Sequence, residues 1–552
     1  MDLHSIETKN LDHLGLVAAI AKDLGIIEKI NVRLDPDQTS IKVSMGQRAL
    51  ALILNGLGFT DERLYMVSQF FQTKPVERLI GEGVKSEYLN DDSLGRLLDA
   101  IYAYGTTKLY SEIAFEIAQE NNLLGKNAHL DTTNFSLHGE YENDEQNEKA
   151  IQINHGYSKS KRFDLKQITL SLTTTGKSAF PIWMEALDGN ESDKRSFHET
   201  IEKVKKFTDQ LKNASDFVWV ADSALYTIDK LSAVEGLKWI TRVPETIKKA
   251  RELSSLSDDK IPWHNLSDGY RIHEISTDYG NMPQRWLLVY SEQAYQREKK
   301  TFEKKIETEA IKLKNDAWHL GNEIFQCEKD ALKSAKEFAK QYNYHDILST
   351  VEIIEKYTGR GRPKAESPKT KVGYGIKIKF DKNQKIITEQ LATKGRFILA
   401  TSQLDQNAIS TEDILYEYKS QSQVERGFRF LKDPWFMVDS VFLKKNERVE
   451  ALMLIMTLCL MVYNVGEYRL REQLKEKKET LPNQLKKQIS NPTLRWIFKM
   501  LQGISMVRIC VDSIANKYQT HISNISVLTK RIIGYFGKKA ETIYGILPIC
   551  IN

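Results

Sequence analysis

Cysteine is scarce in this chain: four residues, at 327, 459, 510 and 550 of 552, each far from the next. A structural zinc site needs thiols a few residues apart and a disulfide scaffold needs many of them. Neither is expected, and the thiols read as buried or incidental in a reducing compartment. Long apolar runs are lacking too. The N-terminal MDLHSIETKN has no signal-like core, and the most apolar stretch, Ala451 to Val465, sits beside Glu450. At about fifteen residues that stretch is short of a bilayer span, so a buried helix of a cytosolic protein is expected. Charge of one sign is not in excess, since 79 basic residues face 74 acidic ones. The balance neither demands nor excludes nucleic acid. Metal-ligand histidine motifs are missing: His129 and His138 flank Asp131 at odd spacing, while His155 and His198 stand alone. There is no P-loop, dinucleotide fingerprint or Ser/His/Asp pattern.

What is present is a globular chain with 41% apolar residues, long enough for three or four domains. Up to about residue 125 the pattern is helical, with Ser44 in N-cap position before GQRALALILNGLGF. From His129 the period changes. LDTTNFSLHG, QITLSLTT and SAFPIWMEAL read as three strands, with TTGK as a hairpin turn between the last two. A charged helix from Asp193 to Lys212, the strand FVWVAD, a short helix and the strand KWITRV follow. Between about 250 and 392 come short strand-like pieces (YRIHEIS, RWLLVYS), a Lys/Glu-rich helical stretch, a Gly/Pro/Lys linker and the strand YGIKIKF. The α/β pattern then resumes with GRFILATS and two helices, so roughly 140 residues look inserted into one domain. The last 75 residues read as mainly helical.

Asp131 lies near the start of the first strand and Asp222 just past the end of the fourth. These become neighbouring central positions if three antiparallel strands are followed by parallel ones. Glu425, on the helix after the insertion, is placed to close the site from the side. Three carboxylates from separate elements are hard oxygen ligands, able to hold two Mg²⁺ or Mn²⁺ ions about 4 Å apart for phosphodiester chemistry. Any one Asp among 74 acidic residues is usually a surface charge or a cap. The context is what lifts these three: a carboxylate among small polar residues on an apolar strand, and another at the end of VWVADSALY, where open α/β sheets bind their ligands.

Several further stretches carry a family resemblance: LILNGLGF, QFFQTKPVERLIGEG, LNDDSLGRLLDAIYAYG, HGYSKSKRFDLKQ, GRFILATS and VFLKKNERVEALMLI. Over nearly its whole length the chain resembles DDE transposases of the insertion-sequence-four superfamily. That resemblance implies an α/β, ribonuclease H-like mixed sheet flanked by helices and interrupted by an insertion domain, with helical N- and C-terminal regions. The implied bounds are a helical DNA-binding region over 1–125, the catalytic core over 126–250 and 393–475, the insertion over 251–392 and a helical tail over 476–552. The superfamily's Tyr-Arg-Glu-Lys signature falls on Tyr418, Gln421, Glu425 and Lys432. Gln421 departs from it, because a neutral amide lacks the bidentate charged grip of guanidinium on phosphate.

The same resemblance implies cleavage at insertion-sequence ends and strand transfer into target DNA by a cytoplasmic, nucleoid-associated homodimer that reads terminal inverted repeats and has no membrane association. Two alternatives stay open: a nuclease of this fold without strand transfer, and an inactive, domesticated DNA-binding protein. Arg429 and Lys432 share a helix face with Glu425 and are candidate phosphate contacts, the alternative for Arg429 being a surface ion pair. Lys159, Lys161, Arg162 and Lys166 form a basic run after the first strand, as a DNA edge or a solvated charge run. Gly359-Arg360-Gly361-Arg362-Pro363-Lys364 is similar to an AT-hook core, which would place Arg360 and Arg362 in a minor groove; a plain flexible loop is the alternative.

Overall fold

The computed structural model describes residues 6–37, 42–59, 64–141, 150–157, 162–191, 193–209, 216–233, 236–357, 368–432, 443–512 and 517–547. It divides into two compact units, Met1–Thr241 with Asp413–Asn552, and Arg242–Glu412.

The first unit opens with strand β1 (Ile6–Asn10) and a run of helices, of which Leu14–Asp23, Ile26–Leu34, Met45–Gly56, Asp91–Tyr104 and Thr106–Glu120 are the longest. Local chemistry sets their starts. Ser44 and Gln47 form a reciprocal capping box, the Ser44 hydroxyl accepting from the Gln47 N–H at 3.2 Å and the Gln47 side chain from the Ser44 N–H at 2.9 Å. Asn90 caps the next long helix by accepting from the Ser93 N–H at 2.9 Å. All of these but Ile26–Leu34, which packs on its neighbours, meet the helix Asn446–Glu476, whose residues from Ala451 to Val462 are all buried. That helix is long and apolar enough to cross a bilayer, but 83% of its most apolar window is covered by the rest of the fold, the pattern of a core helix.

The core sheet of this unit is built from β2 (Asn127–Leu137), β3 (Lys166–Thr175), β4 (Phe180–Leu187), β5 (Val218–Ala221) and β6 (Lys238–Arg242). Their order is β4-β3-β2-β5-β6. The first three run antiparallel, and β5 and β6 run parallel to β2. The turn joining β3 to β4 is possible because Gly176 takes a φ of +68° and packs its Cα side against Leu123 and Gly125 with no room for a Cβ. Helix Thr106–Glu120 and the core helix cover β4. This is the α/β arrangement, a mixed sheet flanked by helices, that the family resemblance implied.

In the second unit, β7 (His264–Asn265), β8 (Tyr270–Tyr279) and β9 (Met282–Ser291) precede two helices, Glu292–Asn322 and Glu328–Ala339. Next come β10 (His345–Tyr357), β11 (Lys369–Lys382), a helix Gln384–Ala392 and β12 (Arg396–Thr401). β10 and β11 form a long antiparallel hairpin whose inner face packs on Leu313, Ala331, Ala335 and Phe338 of the two helices. GRFILATS, expected in the second part of the core, pairs as β12 with β9 from Arg396↔Tyr290 to Thr401↔Arg285. The Val243 N–H also donates to the Ile398 carbonyl. The segment lies within the second compact unit, Arg242–Glu412.

The C-terminal stretch differs from the helical expectation. Besides the short pair β13 (Leu481–Pro482) and β14 (Gln488–Ile489), it carries a hairpin of β15 (Ser505–Asp512) and β16 (Lys517–Ser523). β1 adds to that hairpin antiparallel, Ile6 opposite Ile509. Helices Leu494–Met500, Val527–Gly534 and Lys538–Ile543 complete the stretch. Tyr544 closes the module, donating its hydroxyl to the Asp12 carbonyl while its ring lies where a side chain on Gly15 would stand.

Candidate active site

Register alone brings the two aspartates together. β2 and β5 pair in parallel with Asn127 opposite Val218 and His129 opposite Val220. Carrying that offset of 91 forward sets Asp131 opposite Asp222, on neighbouring strands whose spacing is about 4.8 Å. Asp131 keeps its carboxylate close to its own backbone, Oδ1 accepting from the Thr132 N–H at 2.8 Å. Asp222 stands one residue past β5, where the chain leaves the sheet. Its carbonyl accepts from the Thr241 hydroxyl at 2.6 Å and from the Leu225 N–H, which fixes the turn Ser223–Leu225.

Glu425 comes from the helical segment after the insertion, which runs as Thr411–Ser420 and Ser422–Leu431 around Gln421 in the right-handed helical region. Burial of Val424, Gly427, Phe428 and Leu431 holds the second piece against the core. Gly427 permits the approach, since a Cβ there would stand 3.2 Å from Leu460 of the core helix. Phe430 adds a ring contact with Tyr463 at 4.4 Å. Gln421, Glu425, Phe428 and Lys432, at helical steps of four, three and four, line the same cavity as Asp131, Thr132 and Thr133 of β2.

Asp131, Asp222 and Glu425 line one cavity of about 690 Å³, together with Thr132, Thr133, Tyr418, Gln421, Phe428, Arg429 and Lys432. Six of the expected site residues, the three carboxylates with Tyr418, Arg429 and Lys432, are therefore brought to one place. Lys432 also sets its ammonium over the Phe135 ring at 5.6 Å. Arg162 lies elsewhere, forked onto Asp164 at 2.7 and 2.8 Å in an exposed pair that holds the Asp164 carboxyl at about 2. Lys166 donates to the Tyr141 carbonyl. Lys159, Lys161, Arg360 and Arg362 fall outside the described residues. The cavity residues that sequence reasoning missed are Thr132, Thr133 and Phe428; the first two were legible as neighbours of Asp131 on an apolar strand.

As a donor set, three carboxylates and two threonine hydroxyls suit a hard divalent cation such as Mg²⁺ or Mn²⁺. Among the described residues no three His, Cys, Asp or Glu side chains stand close enough to hold an ion together. The chemistry of the donors fits, while the carboxylates are spread around the cavity wall. The three described cysteines, Cys327, Cys459 and Cys510, are free thiols.

Comparison with known proteins bears on this geometry. Residues 6–115 match a domain of unknown function, DUF4277. No curated protein matches the chain. A solved structure of piggyBac transposase in a synaptic complex with hairpin DNA aligns over 89% of this chain and 80% of that one, at 11% identity and a TM-score of 0.36, too distant to argue from. The transposase DDE domain matches residues 129–462, from the strand that carries Asp131 to the core helix behind Glu425. With that match over more than half its length, the chain belongs to the DDE-domain transposases, enzymes that act on DNA.

Proposed function

We propose that the chain cuts phosphodiester bonds at the ends of an insertion sequence and joins the freed 3′-hydroxyl ends to target DNA. The observation that carries this reading is the convergence of Asp131, Asp222 and Glu425 on one open cavity that two cations also line. The three carboxylates would hold two Mg²⁺ or Mn²⁺ ions, which when bound promote attack by the incoming oxygen and stabilise the leaving one. The protein groups do the rest. Arg429 and Lys432, four and seven residues past Glu425 on one helix, meet the DNA phosphates and hold the strand in line. Tyr418 packs against the cleaved end.

Within the family, the reading places the chain in the insertion-sequence-four superfamily, with Tyr418, Glu425 and Lys432 matching its signature. Gln421 stands where that signature has Arg, so phosphate charge at this point is met by neighbouring cations. A homodimer pairs the two ends, the N-terminal helices read the inverted repeats, and the protein acts at the nucleoid in the cytoplasm, away from membranes.

Cleavage of inverted-repeat DNA in Mg²⁺, wild type against Asp222→Asn, is the test. The variant should lose at least about a hundredfold in rate; equal rates would overturn the assignment. Precleaved ends offered with target DNA then separate a transposase from a nuclease, which would leave them unjoined.

A further inference from the structure

His129 and Glu417 fall outside the active-site cavity, yet His129 shares β2 with Asp131, and Glu417 lies on the helical piece just before the one that carries Glu425. His129 lies two residues before Asp131, on the same face of β2. Glu417 lies eight residues before Glu425. The His129 Nε2 stands 3.6 Å from a Glu417 carboxylate oxygen, with the two side chains 8% and 21% exposed. The other ring nitrogen, Nδ1, is buried with no hydrogen-bond partner among the described residues, so Glu417 is the polar contact of this imidazole.

The pair has a counterpart at the far end. Four residues beyond Asp131 on the same strand face, Phe135 lies under the Lys432 ammonium. From His129 to Phe135 the strand covers six steps, about 20 Å at 3.3 Å per residue. From Glu417 to Lys432 the helical segment covers fifteen steps, about 22 Å at 1.5 Å per residue. The two lengths match, so helical segment and strand run side by side in the same direction, with a contact near each end. Glu417, Gln421, Glu425, Phe428 and Lys432 follow at steps of four, four, three and four, a single stripe facing the alternate residues His129, Asp131, Thr133 and Phe135.

We propose that His129 and Glu417 are positioning residues, a pin that sets the register of the Glu425 helix against the Asp131 strand. Asp131 and Glu425 lie between these two contacts. A helix free at the Glu417 end would pivot or slide by a fraction of a turn, carrying Glu425 away from the aspartates.

This rests on the proposed function for its catalytic consequence but not for its structural one, and two readouts keep them apart. Hydrogen exchange on full-length protein should show amides of residues 413–425 exchanging roughly three- to tenfold faster in Glu417→Gln and in His129→Leu, with no further rise in the double variant. Unchanged exchange in that helix, or gains that multiply in the double variant, would remove the pin. The same variants should cleave end DNA several-fold more slowly while binding it as tightly as wild type. Full cleavage despite faster exchange would also overturn the positioning role. Should His129→Leu fail to fold, Glu417→Gln at the half-exposed end of the pair decides the exchange result alone. A wild-type protein that does not cleave would count against the proposed function and leave the exchange result standing.

Discussion

Arg429 has a specific electrostatic consequence because it stands in the cavity beside three carboxylates rather than in a surface pair. If it meets one DNA phosphate, Arg429→Ala should lower the slope of log affinity against log salt by about one, measured on end DNA from 50 to 200 mM salt. An unchanged slope would return it to the surface. His13 makes a prediction of a different kind. Its Nε2 lies 2.8 Å from the Leu57 carbonyl, and its ring stacks on Phe498 at 4.4 Å. Burial pushes the imidazole down to about 4, against the opposing pull of the Leu57 bond. The folded form therefore refuses a proton that the unfolded chain takes near 6.5. The associated stability is fully present above pH 6.5 and is lost as pH falls toward 4, by up to roughly 3 kcal/mol. Denaturant unfolding at pH 7 and pH 4.5 should show that loss in wild type, and His13→Phe should shrink it.

Among the elements, the crossing of helices Ile26–Leu34 and Met45–Gly56 depends on Gly46. A Cβ there would stand 2.2 Å from the Ile27 carbonyl oxygen, a backbone atom that cannot swing aside. Helix propensity favours Ala over Gly by about 1 kcal/mol, but overpacking costs about 1–3 kcal/mol. Gly46→Ala should therefore lower the thermal midpoint, and a rise would show that the helices can part. In the second unit, Arg285 is buried and forks onto Glu274 at 2.9 and 3.1 Å while donating to the Gln403 and Ile409 carbonyls. Arg285→Met would leave Glu274 and two carbonyls without that donor, and should cost about 3–5 kcal/mol in chemical unfolding of the full chain.

The legibility of elements followed the range of their contacts. The three antiparallel strands, the strand ending at Ala221 and the Ser44 cap were readable because apolar alternation and capping are local signals. That Asp131 and Asp222 are neighbours followed from the strand order, while Glu425 rested on its spacing to Tyr418 and Lys432. β10 was missed although HDILSTVEIIEKY alternates, because its inner face is completed by residues of the two preceding helices, from Leu313 to Phe338. Helix packing through Gly427 and the His129–Glu417 contact join residues whose neighbours in sequence give no hint of the partner.

For the molecule as a whole, the N- and C-terminal segments are one piece of structure. The Arg78 guanidinium donates to the Thr542 and Ile543 carbonyls, and Lys539 bonds the Lys22 carbonyl at 2.8 Å. Deleting residues 538–552 should destabilise the helices before residue 121 as well as the tail. Limited proteolysis would then cut between 6 and 120 faster than in the intact chain, and an unchanged pattern there would show the first helices to be self-sufficient. None of this closure was visible in the sequence, where the C-terminal stretch read as helical. Its strand partner is β1, about five hundred residues earlier, and no local pattern encodes a pairing at that range.

The pairing of Ile6 with Ile509 also sets a clock on synthesis. At 5–20 residues per second, roughly 25–100 s pass between emergence of β1 from the ribosome and that of its partner. Through that interval a bare strand edge hangs from the nascent chain, open to pairing with a second one on the same message. The N-terminal module reaches its final form only once the hairpin Ser505–Ser523 has been made.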